Sequence, residues 1–284
     1  MNEIKINNIS HSFGDNKVLS NINLNLRSGV YGFIGANGAG KTTLIRILCG
    51  LLKPSEGQIL YNDETINTQK YRALVGLMPQ SQRGYDNFTG YQLLWYMASM
   101  KNLDKEKAET NIKQLIEMAS MESFIHTKIK TYSGGMRQRL MLSQALLGDP
   151  KVVYLDEPTA GLDPSERIKI RNYISQFAKS RIVIIATHVM QDVESIANEI
   201  ILIKDGAIEY FGSVPDILAS LDNIVYKQEI DFFEIETYQK KYKVSNIIQK
   251  EDKAIINYIN DQQAEDDAVL IQPTLEEVYL YYLV

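Results

Sequence analysis

The chain has 284 residues, 45% hydrophobic and 23% charged, enough apolar material for one large domain plus a small appendage. A net charge of -5 gives no general attraction to nucleic acid or anionic lipid, so no nucleic-acid partner is expected. The single cysteine, Cys49, excludes an intramolecular disulfide and a cysteine-built zinc site, and fits a reducing compartment.

The first residues lead into alternating Ile4, Ile6 and Ile9 and lack the apolar core of a signal peptide. Up to about residue 80 the chain runs in short β-branched and aromatic stretches broken by Gly and Asn, with a strand expected over 30–34 and a helix over 43–48. Between about 88 and 149, Leu93, Leu94, Tyr96 and Met97, then Ile112, Leu115, Ile116 and Met118, recur at helical spacing. Beyond Lys151 the pattern is strand, helix, strand over 152–155, 165–179 and 182–186, which predicts a largely parallel sheet covered by helices. A hairpin is expected over 200–204 and 207–211, turning at Asp205-Gly206.

After about Ser220 the composition shifts toward Tyr, Gln, Asn and acidic residues, which places a boundary there. Residues 244–249 and 254–259 flank Lys250-Glu251-Asp252-Lys253 as a second hairpin, and 273–280 read as a capped terminal helix. The apolar runs are strand-length, far short of the ~20 residues that a membrane span needs. Work at a membrane would go through a partner.

Gly35-Ala36-Asn37-Gly38-Ala39-Gly40-Lys41-Thr42 fits the phosphate-binding loop pattern in full and lies between the expected strand and helix. Its glycines let successive backbone N–H groups turn inward around phosphates, and the following helix adds its positive end. Lys41 is suited to the β- and γ-phosphates, and the Thr42 hydroxyl to Mg²⁺. Thr43 fits a phosphate contact or a helix cap equally.

The run 151–155 ends in Asp156-Glu157-Pro158, two acids at the edge where α/β sheets place ligand chemistry. Asp156 suits Mg²⁺ held through its water shell, because that ion takes few carboxylates. Glu157 would then stand beside the γ-phosphate to polarise the attacking water. His11 and His126 lack comparable context and read as ordinary surface or core residues.

Thr131-Tyr132-Ser133-Gly134-Gly135-Met136-Arg137-Gln138-Arg139 resembles the signature of ABC-type ATPases, which usually reads Leu-Ser-Gly-Gly-Gln. Tyr132 and Met136 depart from it at the first and last positions. By their residues alone, Ser133, Gly134 and Gly135 read either as an N-cap with flexible glycines or as a γ-phosphate receptor at a helix start. The resemblance covers about residues 4–215 with the motifs in family order. Gln80 falls at the glutamine loop, Ala160-Gly161-Leu162-Asp163 at the aspartate loop, His188 at the switch histidine, and Phe13 where the family stacks an aromatic on adenine.

The resemblance implies a phosphate-loop NTPase of ABC type. The α/β fold would have a mixed sheet, a helical subdomain over about 83–149 within a domain of 1–220, and a small C-terminal α+β accessory domain over 221–284. ATP and Mg²⁺ are the implied ligands. Phe13, Asn37, Gly38, Ala39, Gly40, Lys41, Thr42, Thr43, Gln80, Ser133, Gly134 and Gly135 would bind the nucleotide. Thr42, Gln80 and Asp156 would serve the metal, with Glu157, His188 and Lys41 in catalysis.

In the family the signature belongs to the opposite subunit, so a chain with one loop and one signature must form a homodimer or pair with a related chain. The implied function is ATP hydrolysis that powers a separate transmembrane permease from the cytoplasmic face of the membrane. The terminal Pro273-Thr274-Leu275-Glu276-Glu277-Val278-Tyr279 resembles the ends of bacterial exporter subunits, which favours export. An importer subunit, or a soluble ABC ATPase with a non-membrane partner, is the alternative. Phe88, Tyr91 and Trp95, after the glutamine loop, are expected to face the permease, while Leu93, Leu94 and Met97 read as core.

Overall fold

The computed structural model describes residues 2–80, 84–262 and 265–284, and the chain divides into two compact units, Met1–Phe211 and Gly212–Val284. The first unit begins with β1 (Glu3–Phe13), β2 (Asn16–Arg27) and β3 (Gly29–Gly35), followed by α1 (Lys41–Leu48). Next come β4 (Glu56–Tyr61), β5 (Glu64–Thr65), α2 (Gln69–Ala73) and β6 (Val75–Met78). The helices α3 (Gly90–Met100), α4 (Lys105–Met118) and α5 (Gly134–Leu146) lead to β7 (Val152–Asp156). The alternation α6 (Pro164–Ala178), β8 (Ile182–Ala186), α7 (Met190–Ile196), β9 (Glu199–Lys204) then ends in β10 (Ala207–Ser213), which crosses the division.

Among the described residues, two sheets form in this unit. One is antiparallel, in the order β2-β1-β4-β5. The other runs β10-β9-β3-β8-β7-β6 and is parallel from β9 through β6. Its central strands β7 and β8 are apolar and buried on both faces, as parallel strands covered by other layers must be. Alternate residues serve different cores. Val152, Tyr154, Ile182 and Ile184 pack with α1 and the antiparallel sheet, whereas Val153, Leu155, Val183 and Ile185 pack with α3 to α6. The β9–β10 turn at Asp205-Gly206 has both residues at positive φ, as the sequence suggests.

Helical spacing resolves into α3 and α4 as two helices because each carries its own cap. Thr89 and Gln92 form a capping box on α3, and the Asp104 side chain accepts from the Lys107 N–H on α4. Leu93, Leu94, Ile112 and Leu115 are buried in their shared core.

The second unit holds α8 (Val214–Ala219), β11 (Val225–Asp231), α9 (Ile235–Lys241), β12 (Lys243–Lys250), β13 (Lys253–Ile259), β14 (Val269–Leu270) and α10 (Leu275–Leu283). Its strands form an antiparallel sheet in the order β12-β13-β11-β14. Ile230, Ala254, Ile256, Tyr226 and Tyr258 form the core, joined by Tyr238 and Tyr242. Thr274 and Glu277 make the capping box of α10, and the Glu277 carboxylate also accepts from the Ser245 hydroxyl.

Candidate functional site

The loop of residues 35–42 leaves β3 at the C-terminal edge of the parallel sheet. Gly38 and Gly40 stand at φ 84° and 101°, a region closed to most side chains. At Gly40 space is short as well: a Cβ would meet Leu19 Cδ2 at 2.7 Å and the Val18 carbonyl at 2.9 Å. Gly40 is also the N-cap of α1 and makes no side-chain cap, so no side chain of the cap covers the first N–H groups of the helix. The Lys41 ammonium donates to the Gly35 and Ala36 carbonyls at 2.6 and 2.9 Å. Burial pulls its pKa below the ordinary lysine value, while the charges of Glu157 and Asp156 raise it. Asn37, Gly38 and Thr42 are exposed along the loop, Ala39 is buried, and Thr43 is half-buried behind them.

The two acids stand at the end of β7, one strand beyond β8 from the loop. Asp156 pairs with Ala186 in register. Its carboxyl is pushed above the usual range by burial and then by the Glu157 charge, with Lys41 acting the other way. Glu157 adopts φ 53° and donates its N–H to the Ala186 carbonyl at 2.8 Å. Its carboxylate accepts from Thr187 Oγ1 at 2.8 Å, from the His188 N–H at 3.2 Å, and meets His188 Nδ1 at 2.7 Å. Lys41, Asp156, Glu157 and His188 are thus brought together, and Thr187, which the sequence alone does not mark, joins them.

Gln80 is exposed just beyond β6, on the same sheet edge; Ser81, Gln82 and Arg83, the continuation of that loop, lie outside the described residues. Phe13 is 51% exposed at the β1–β2 turn and rests edge-on against His11, with ring centroids 4.6 Å apart. Phe88 is 37% exposed and clusters with Tyr85 and Tyr96. Tyr91 and Trp95 are half-buried, and Tyr91 also meets the exposed His126.

Gly134 faces Leu162, just before α6, and Gly135 faces Glu166 in its first turn. Ser133 caps α5 through the Met136 N–H at 3.2 Å, and Met136 Sδ faces the Ser133 N–H at 3.5 Å. A Cβ on Gly135 would meet Glu166 Oε2 at 2.4 Å, so this corner admits no larger residue without a shift. Tyr132 is accommodated because Gly90 leaves room for its hydroxyl, which donates to the Phe124 carbonyl at 3.0 Å. Both departures from the usual signature therefore leave the Ser133 cap in place.

A phosphate loop between a parallel strand and a helix, with acids two strands away on the same sheet edge, defines a phosphate-loop NTPase. A family model described as ABC transporter matches residues 19–160. An uncharacterized ABC transporter ATP-binding protein of Bacillus subtilis is 34% identical over 249 residues, covering 86% of this chain and 78% of that protein. A Nod factor export ATP-binding protein I of Burkholderia lata is 34% identical over 207 residues, covering 72% of this chain and 68% of that one. Among solved structures, cbiO1 from Clostridium perfringens, described as part of the ABC transporter complex cbiONQ, superposes with a TM-score of 0.70 at 27% identity. That match covers 76% of this chain and 90% of the other. The chain belongs to the ABC transporter family. It is an ATP-binding subunit of that family, with an ATP-hydrolysing domain.

Proposed function

We propose that this chain powers export by a separate transmembrane permease through ATP-driven closure of a dimer, with Glu157 polarising the attacking water. The observation that carries the catalytic reading is the Glu157 carboxylate held by Thr187 and His188 beside Asp156. Lys41 and the free N–H groups of the loop would bind the phosphates, with Asn37, Gly38, Ala39, Gly40, Thr42 and Thr43 around them and Phe13 against the base. His188 would contact the γ-phosphate, and Ser133, Gly134 and Gly135 would complete the site of the opposite chain.

Mg²⁺ fits this donor set. Asp156 is a half-buried carboxyl next to a second acid and a lysine, and Thr42 presents an exposed hydroxyl. Mg²⁺ takes few protein carboxylates and keeps most of its waters. Thr42, Asp156 and Gln80 would hold it, and it would supply charge neutralisation at the phosphate oxygens.

Export is supported by the Burkholderia relative, whose name states export, and by the terminal Pro273-Thr274-Leu275-Glu276-Glu277-Val278-Tyr279, which resembles the ends of bacterial exporter subunits. No helix among the described residues is long and apolar enough to cross a membrane. The chain would sit at the cytoplasmic face through its permease, received beside Phe88, Tyr91 and Trp95, as a homodimer or with a related subunit.

Glu157→Gln tests the catalytic reading. It should keep ATP affinity, lose about 100-fold or more in turnover, and accumulate an ATP-dependent dimer in size-exclusion chromatography with light scattering. Near-normal turnover would overturn the assignment. For direction, the chain and its permease in inverted vesicles should accumulate, with ATP, the compound that stimulates turnover. Accumulation only in right-side-out vesicles with ATP inside would make it an importer.

A further inference from the structure

Thr187 follows the last residue of β8 and is 2% exposed. Its Oγ1 accepts the Val189 N–H at 3.1 Å and donates to Glu157 Oε2 at 2.8 Å. A hydroxyl has one proton and two lone pairs, and an ionised carboxylate can only accept. With one lone pair taken by the Val189 amide, the single proton is directed at Oε2. The side chain is β-branched and buried, so this donor is fixed in place.

The other oxygen, Oε1, has different partners: the His188 N–H at 3.2 Å and His188 Nδ1 at 2.7 Å. The His188 side chain is 75% exposed, so turning it toward a phosphate breaks no packing. Thr187 would have to give up the Val189 contact to move. One carboxylate oxygen is therefore anchored from the protein interior, and the other lies against the His188 N–H and the exposed His188 ring.

We propose that Thr187 is a positioning residue for hydrolysis: it anchors Oε2 and leaves Oε1 as the oxygen that receives the attacking water when His188 turns to the nucleotide. The inference rests on the reading of Glu157 as the group that polarises water. A long acidic side chain held by fixed donors, the Thr187 hydroxyl at Oε2 and the His188 N–H at Oε1, reaches a reactive geometry that the same side chain, free to sample its rotamers, occupies only part of the time.

The test uses the full chain with ATP and Mg²⁺, at protein concentrations raised until the rate per chain is constant. Thr187→Val keeps the shape and removes the donor. It should lower kcat by about 10- to 100-fold, the range for losing a hydrogen bond to a charged group. KM for ATP should change by less than about 2-fold, since Thr187 is not assigned to nucleotide binding. Thr187→Ser should restore most of the rate. In single-turnover assays, Thr187→Val added to Glu157→Gln should lower the rate no further, because the anchored carboxylate is already gone.

If Thr187→Val is not recovered folded, Thr187→Ala, which adds no bulk, carries the same measurements. Wild-type kcat in a folded Val or Ala variant, or losses that simply add to those of Glu157→Gln, would overturn the proposal. If Glu157→Gln itself retains turnover, the reading of Glu157 fails. Loss in Glu157→Gln with none in the Thr187 variants removes Thr187 alone.

Discussion

Burial and the Glu157 charge raise the Asp156 carboxyl above its ordinary pKa of 3.8, while Lys41 opposes them. A raised native pKa means that the folded chain holds this proton better than the unfolded one. The group's stabilising contribution is then full below 3.8 and lost as pH rises through the raised value. At neutral pH the charge at Asp156 therefore opposes folding, and its partial exposure keeps the effect small. Asp156→Asn should raise Tm by about 1–3 °C at pH 7, and by less near pH 4, as read by calorimetry without nucleotide. The same variant should lose Mg²⁺-dependent turnover. Equal melting temperatures at both pH values would show that the carboxylate is comfortably hydrated. The residues of this site were legible in the sequence where a motif fixes their spacing, as for Lys41, Asp156 and Glu157. Thr187 was not, since a threonine after a β-run has no distinguishing pattern and only the β7–β8 register brings it to Glu157.

At the scale of elements, helix ends show what local chemistry adds to pattern. The chain leaves α5 at Leu147, whose carbonyl accepts from the Lys101 ammonium at 2.7 Å, just past the end of α3. Burial pushes the Lys101 pKa from 10.5 down to about 8. Here the sign is the reverse of that for Asp156: the folded state disfavours the protonated form, so the contribution is full above 10.5 and lost as pH falls through about 8. Stability measured by urea unfolding should rise more steeply from pH 8 to 10 in the wild-type chain than in Lys101→Met. The whole shift of about 2.5 pH units is worth about 3.4 kcal/mol at 1.36 kcal/mol each, of which the difference between pH 8 and 10 should show about 2 kcal/mol. Parallel curves would mean that water reaches the amine. The helices and parallel strands around this joint were readable from 3.6-residue spacing and apolar runs. The antiparallel sheet was less so: Ile4 and Ile6 alternate, but Asn8 at φ 52° shifts the register, and Ile9, Ser10 and His11 are buried in succession.

For the whole molecule, the change in composition comes after the division between the two compact units, because helices need not advertise which unit they join. The shift after Ser220 lies beyond α8, which the structure groups with the second unit, and there the Tyr282 hydroxyl bonds Ser220 Oγ at 3.1 Å. Nothing in Val214-Pro215-Asp216-Ile217-Leu218-Ala219 differs in composition from the helices before it. The first unit has a more consequential property: one phosphate loop, around Lys41, and one Ser133 corner, packed by Leu162 and Glu166. If each ATP is held between the loop of one chain and the Ser133 corner of another, two differently damaged chains should complement each other. Lys41→Ala removes the loop charge, and Ser133→Arg blocks the facing helix start; each alone should be inactive, and Ser133→Arg should still bind ATP. Mixed one to one, half of the dimers pair the two variants, and each of these has one intact site of two. Recovered turnover should then approach about a quarter of the wild-type rate if the sites act independently. Native mass spectrometry would confirm that mixed dimers form. Their presence with no recovery of turnover would count against a shared site and leave each chain to hydrolyse alone.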